Sequence, residues 1–430
     1  MKIFNFRLAI SLVVGNMIGA GIFTTTGIQL KEVSNPAIIL FIWLVGGMIA
    51  MSGAIAYSRI AKVYPRSGGE YHFVGQLYGY PLGFAAGAIS LFVGFTAPIA
   101  LTASAFGYYF SHYLEVPVFA SGTICILLFS CIHIFIPAKG GNFHSALTFV
   151  KIVVILVFII FGLTNGPISI GDESNLMESD PISFTGIALA LLYASFAYTG
   201  WNAAVYILDE IKDAKVNVPR SLILGSGIVT LIYLALNITF LYSTPVLEIT
   251  GKIEVAHFVG QRLLGRWGNV LVDAMILLAL ISSLSALILA GSRVFKVMAE
   301  DYQFPGNLSL ENRKGAPFRA IILQAILAII ILGSFTFEDI LTYTGFTLTI
   351  FSLLVVVGNL KKVPGNESAI TILEKVAIWF FVLINVLLIV YIIFGRPITA
   401  GASFLIILIF YLIGKYWQKN RKSFFLGSIQ

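Results

Sequence analysis

Apolar residues fill this chain in long blocks parted by short polar stretches, without the ten-residue alternation that barrel strands show. A hydrocarbon core of about 30 Å takes roughly 20 residues of helix. Twelve blocks are long enough: about 8–30, 38–63, 80–110, 117–136, 143–164, 184–209, 220–242, 267–296, 319–334, 339–358, 371–394 and 399–417. The pattern predicts an all-α polytopic membrane protein. The first block starts almost at once and lacks a small-residue cleavage pattern after a short core, so it reads as a span and not a removable signal peptide.

Two blocks are interrupted. The first contains Val14-Gly15-Asn16-Met17-Ile18-Gly19-Ala20-Gly21-Ile22-Phe23, and each Gly costs about 1 kcal/mol against Ala in a helix. One reading is a helix broken at Gly19-Ala20-Gly21, whose freed N–H groups suit a carboxylate and whose freed carbonyls suit an ammonium. Such backbone survives at membrane depth only where it is buried in protein or lines a cavity. The other reading is a small-residue face for close helix packing. The sixth block holds Ser195-Phe196-Ala197-Tyr198-Thr199-Gly200-Trp201-Asn202, where Gly200 sits between side chains that compete with the helical ladder. The two interruptions occupy corresponding places in two five-span halves, about 8–164 and 184–358. That is the sequence pointer to a midplane site in an inverted-repeat transporter.

Composition agrees: of 430 residues 58% are hydrophobic and 11% charged, against a usual charged share of about 25%, and the mean hydropathy is +0.94. The net charge of +7 does not call for nucleic acid, because its distribution explains it. With the N-terminus inside, 21 of the 27 Lys and Arg fall on cytoplasmic segments, among them Arg59, Lys62, Arg66, Lys212, Lys215, Arg220, Arg313, Lys314, Lys361, Lys362, Lys415, Lys419, Arg421 and Lys422. The positive-inside rule then places both termini in the cytoplasm. The loop 165–182, with Asp172, Glu173, Glu178 and Asp180 and no Lys or Arg, falls outside. Cys125 and Cys131 lie six apart in one span, off a shared face, so neither a disulfide nor a metal pair is indicated.

Polar residues inside the other blocks are few. Lys151 is the one charge well inside an apolar run; a functional group is the default for such depth, and snorkelling the alternative. Pro98 predicts a kink in the third span. Tyr233 and Asn237 share a helix face and need partners. Ser282, Ser283 and Ser285 precede Arg293 and Lys296, and serines in such helices usually bond back one turn. The segment 252–266 is amphipathic and would cap the outer side. Pro65-Arg66-Ser67-Gly68-Gly69-Glu70-Tyr71 reads as a charged turn, and Asp209-Glu210, at a helix C-terminus, should pair with nearby cations.

The runs Gly15 to Phe23, Pro65 to Tyr71 and Phe196 to Asn202, followed by Asp209-Glu210 and Asn217-Val218-Pro219-Arg220, closely resemble the amino acid, polyamine and organocation (APC) superfamily of transporters. The likeness extends over about residues 8–300. The Gly-Trp-Asn form is most similar to the L-type amino acid transporters and their bacterial relatives. The resemblance implies a LeuT-like fold: a first five-helix repeat in 1–164, an external loop 165–183, a second, inverted repeat in 184–358, and two extra helices with a basic tail in 359–430. It implies a substrate site at Ile18, Gly19, Ala20, Gly21, Ile22, Phe196, Ala197, Thr199, Gly200 and Trp201. The carboxylate would meet N–H groups near Ala20, Gly21 and Ile22, and the ammonium carbonyls near Ile18, Phe196, Ala197 and Thr199. Lys151 would reach Gly15 and Ser283, where sodium-coupled relatives hold an ion, and could load and release a proton; Tyr233 would tie the seventh span to the unwound part of the first. Two departures stand out. Ala20 replaces the common Ser, removing a hydroxyl contact to the carboxylate, and Thr199 replaces a common Gly, narrowing the pocket.

The expectation is a carrier of an uncharged L-amino acid working by alternating access, sodium-independent, by exchange or proton symport. Phe196, Tyr198 and Trp201 line the pocket stretches and no buried acid is foreseen for a cationic side chain; Asp273, Glu338 and Asp339 lie too near the outer edge. A cationic amino acid or polyamine carrier is the alternative within the class. A non-transporting receptor or a membrane enzyme is the alternative outside it, although no Gly-x-Ser-Gly or Gly-x-Gly-Asp occurs and His133 is the only histidine near mid-span. No cofactor, metal or nucleic acid partner is expected; the partners are a small amino acid, the bilayer and, under the symport alternative, protons, with monomer or homo-oligomer left open.

Overall fold

The coordinates, a computed structural model, describe residues 4–136, 141–165, 183–302, 306–360 and 370–420, and the structural statements below concern those residues. The acidic residues expected in the external loop, and Lys361, Lys362, Arg421 and Lys422, lie outside them.

The chain order is α1 (Phe6–Met17), α2 (Ala20–Glu32), α3 (Pro36–Val63), α4 (Glu70–Tyr78), α5 (Tyr80–Ile89), a π stretch Ser90–Phe95, α6 (Thr96–Phe110), α7 (Val118–Phe135), α8 (Gly141–Thr164) and α9 (Phe184–Ala197). A 3-10 stretch Ala203–Glu210 follows, then α10 (Ala214–Ser243), α11 (Val246–Ile249), α12 (Val255–Tyr302), a short 3-10 turn, α13 (Phe318–Ser334), α14 (Phe337–Gly358), α15 (Ile372–Gly395) and α16 (Pro397–Asn420). No strand forms among the described residues beyond an isolated bridge between Phe4 and Ile211. Nine helical spans are long and apolar enough to cross a membrane, and three shorter apolar helices, Thr148–Thr164, Phe184–Ala197 and Phe318–Ser334, stand where the remaining spans were expected.

Helix ends follow local chemistry. The Asn5 side chain accepts from the Leu8 N–H, and Asn35 caps α3 ahead of Pro36. Thr336 with Asp339, and Thr371 with Glu374, form capping boxes at α14 and α15. Pro98 has no N–H to give, and the ladder widens just ahead of it, the Thr96 N–H bonding the Leu91 carbonyl five residues back. The expected kink is thus absorbed as a π bulge. From Val255 on, the segment 252–266 forms the first part of α12, set off from the spanning part by Gly265 at φ +63.

Packing gathers around α1, which lies against α8 and α10, while α10 and α15 both pack on α3. Trp43, Tyr198 and Tyr233 are fully buried and meet ring to ring, with centroids 4.9 to 5.8 Å apart. They join the second, sixth and seventh spans into one core. The sixth span departs from expectation beyond Ala197: its second half is a 3-10 stretch with a non-helical Ile207, so no second α-helical dipole begins there. Asp209 departs as well. Its carboxylate takes the Ser67 N–H at 3.0 Å and its own N–H donates to the Ser67 hydroxyl at 2.9 Å, while Arg66 pairs with Asp301. The acid caps a loop instead of joining an ion pair.

Candidate functional site

Both interrupted spans are broken. Between α1 and α2 the chain leaves helical geometry at Ile18 (φ −75, ψ 88) and Gly19 (φ −128, ψ −153), and no side chain caps α2. Its first-turn N–H groups therefore have no partner within the helix. Carbonyls at the end of α1 are claimed one by one. Gly15 takes the Lys151 ammonium at 3.4 Å, Met17 the Tyr233 hydroxyl at 2.5 Å, and Ile18 both Lys151 at 2.8 Å and the Ser283 hydroxyl at 3.1 Å. After α9 the chain turns through Tyr198 to Asn202, with Gly200 at φ +97.

The two breaks touch. A Cβ on Gly21 would stand 2.6 Å from the Ala197 Cα, and one on Gly200 would stand 2.9 Å from the Asn16 carbonyl group. The two readings of the first glycine run are therefore both realised: Gly19 lies in the break, and Gly21 is the close-packing residue. Tyr233 bridges the pair, donating to Met17 and lying 3.1 Å from the Ala197 carbonyl.

A cavity of about 740 Å³ opens beside the breaks and reaches Phe4, Ser67, Gly68, Glu210 and Arg293. Gly15, Gly19, Ala20, Gly21, Phe196, Ala197, Thr199, Gly200, Trp201 and Ser283 line it. Ile18 and Ile22 point into the core, and Lys151 and Tyr233 stand behind the wall and reach the site only through the hydrogen bonds above. In this conformation the Ile18 carbonyl has two donors, and so has that of Phe196, from the Thr199 N–H at 2.9 Å and hydroxyl at 2.7 Å. The opposite end is shut. The Tyr109 hydroxyl donates to the Phe23 carbonyl at 3.0 Å, the Gly251 N–H donates to the Gly27 carbonyl at 2.7 Å, and Val255 sits against Gly27.

One expectation fails outright. The cavity does contain a buried acid: Glu70, 4% exposed, lies in its wall and accepts from Tyr57 at 2.8 Å, Asn202 at 3.1 Å and Ser352 at 3.2 Å. The segment Pro65 to Tyr71 is not only a charged turn, for Gly68 and Gly69 at positive φ fold its last residues inward. His133, also in the wall, pairs its Nε2 with the Ser285 hydroxyl at 2.8 Å. No group of three or more metal-binding side chains occurs among the described residues.

A family model described as amino acid permease matches residues 4–414. The chain belongs to the amino acid permease family. The permease is 26% identical over 443 residues to the large neutral amino acids transporter small subunit 2 of Homo sapiens, covering 97% of this chain and 81% of the relative. It is 30% identical over 336 residues to the serine/threonine exchanger SteT of Bacillus subtilis (strain 168), covering 75% of each. To the cystine/glutamate transporter of Homo sapiens it is 26% identical over 363 residues, covering 81% of this chain and 71% of the relative. The permease is a multi-pass membrane protein and an amino acid transporter of the APC superfamily.

Proposed function

We propose that the permease moves a neutral L-amino acid across the cytoplasmic membrane by alternating access, without sodium, through exchange or proton symport. The observation that carries this reading is the pair of touching breaks beside one cavity, which sets an uncapped helix N-terminus close to the backbone carbonyls at the end of α9. The substrate carboxylate meets the N–H groups of Ala20, Gly21 and Ile22, where the dipole of α2 favours an anion. Its ammonium meets the carbonyls of Ala197 and Thr199, because those of Ile18 and Phe196 already hold two donors each. Lys151 joins the broken first span to Ser283 and acts as the coupling and gating group together with Gly15 and Tyr233. The names of the relatives, which include neutral amino acid and serine/threonine carriers, favour the same substrate class. The basic residues favour a cytoplasmic mouth and cytoplasmic termini, so the cavity is open inward. The two halves, 1–164 and 184–358, act as inverted repeats, with 359–430 outside them.

One observation favours a second reading, a cationic amino acid carrier: Glu70 lines the cavity. Counterflow of a radiolabelled L-amino acid panel in proteoliposomes, with and without a pH gradient, tests both. Exchange of serine, threonine or leucine unaffected by arginine or putrescine supports the first; strong competition by arginine supports the second; no flux of any panel member overturns the transport of amino acids itself.

A further inference from the structure

Glu70 faces the cavity with neutral donors alone. Besides Tyr57 in α3, Asn202 in the turn after α9 and Ser352 in α14, the Tyr206 hydroxyl of the 3-10 stretch also bonds its carboxylate. The charges near its own segment, Arg66, Asp209 and Asp301, gather on the other side, around Tyr71 and His72. No ion pair to Glu70 occurs among the described residues. A buried acid without a counter-ion is costly and needs a reason to be there.

The donors show what it holds. Asn202 ends the turn that forms the second break, and the Tyr57 ring meets the Trp201 ring edge-on at 4.6 Å. Trp201 and Gly200 are cavity wall. We propose that Glu70 is a positioning residue: acting through Asn202 and Tyr57, its carboxylate fixes Trp201 and the second break against the cavity, so that substrate affinity rests on an anion outside the zwitterion's grip. The inference deepens the transport reading and rests on it. It carries a pH signature. Burial raises the Glu70 acid above the ordinary carboxylate range, against the pull of its four donors. As pH falls through that raised value the anion takes a proton, which must be donated to a neighbour that formerly donated, and one tie to the break is lost.

The test has two arms. In counterflow of radiolabelled L-serine, L-threonine and L-leucine between pH 8 and 5, wild type should show a KM that rises toward pH 5. Glu70→Gln should raise KM at pH 8 by about tenfold, the worth of one charged hydrogen bond, with a smaller effect on maximal rate and a flat KM across the range. Tyr57→Phe, which keeps the acid and the fold, should raise KM less and keep the slope. In the second arm, which needs no transport, the part of the tryptophan emission lost in Trp201→Phe should change between pH 8 and 5 in wild type and stay constant in Glu70→Gln. Equal KM and pH slope in wild type and Glu70→Gln, or a Trp201 emission that responds to pH alike in both, overturns the proposal. So does arginine competition that vanishes in Glu70→Gln while serine flux is untouched, since that would make Glu70 a direct ligand.

Discussion

The Lys151 ammonium donates to the Ile18 carbonyl at 2.8 Å and to the Ser283 hydroxyl at 3.0 Å, joining α8, the broken first span and α12 at one point. A charge-assisted bond is worth about 1.5–3 kcal/mol, and Lys151 makes more than one here. Lys151→Ala should lower coupled uptake in proteoliposomes at least ~tenfold. Wild-type uptake in that variant would remove Lys151 from the mechanism.

The contact between the breaks leaves no room for a methyl group at Gly21. Overpacking costs about 1–3 kcal/mol, and Gly21→Ala should lower counterflow more than ~tenfold while the protein still reaches the membrane. The control is Gly227→Ala in α10, whose added Cβ meets nothing within 4 Å; its flux should match wild type.

The second break makes a different demand. Gly200 combines φ +97 with an approach to the Asn16 backbone, and a side chain there is strained by about 1–3 kcal/mol even where space allows. Gly200→Ala should weaken substrate protection of the protein against thermal unfolding while lowering the melting temperature by a few degrees.

His72, outside the spanning segments, has its pKa lowered to about 4 by burial and, secondarily, by the nearby Arg66. In the unfolded chain it takes a proton near its ordinary 6.5, so unfolding binds a proton between these values and stability is lost as pH falls from about 6.5 toward 4. The loss attributable to this residue should approach roughly 3 kcal/mol. Thermal unfolding of detergent-solubilised His72→Gln should show a shallower slope in that window than wild type; an unchanged slope would assign the pH dependence elsewhere.

On the closed side, His257 Nδ1 lies 2.5 Å from Asp273 Oδ2, which also takes the Tyr113 hydroxyl at 2.7 Å, and the His257 ring stacks on His112 at 3.9 Å. Asp273 is fully buried. Removing one partner of such a pair costs about 3–5 kcal/mol, against about 0–1 kcal/mol for an exposed pair such as Arg262 with Glu248. His257→Ala should therefore destabilise the protein much more than Arg262→Ala in a thermal unfolding assay.

The spans were legible because membrane thickness sets their length, and the breaks because glycines there are costly unless something needs them. Glu70 was hidden by its neighbours: beside Arg66 and the Gly pair it reads as surface, and its donors come from positions 57, 202, 206 and 352, which no local pattern joins. The same holds for the stack of His112 on His257, set by how α6 ends against the start of α12. The pairing of Asp209 fails because the rule for acids at helix C-termini presumes an α-helix, and Ala203–Glu210 is a 3-10 stretch whose Asp209 exchanges hydrogen bonds with Ser67.

Because Gly21 lies on Ala197 and Gly200 on Asn16, the two unwound segments cannot part without opening a gap between their backbones. Under the proposed alternating access, the stroke of the cycle is a swing of both segments together, like a paired hinge leaf, past Ser283 and the Lys151 bonded to it.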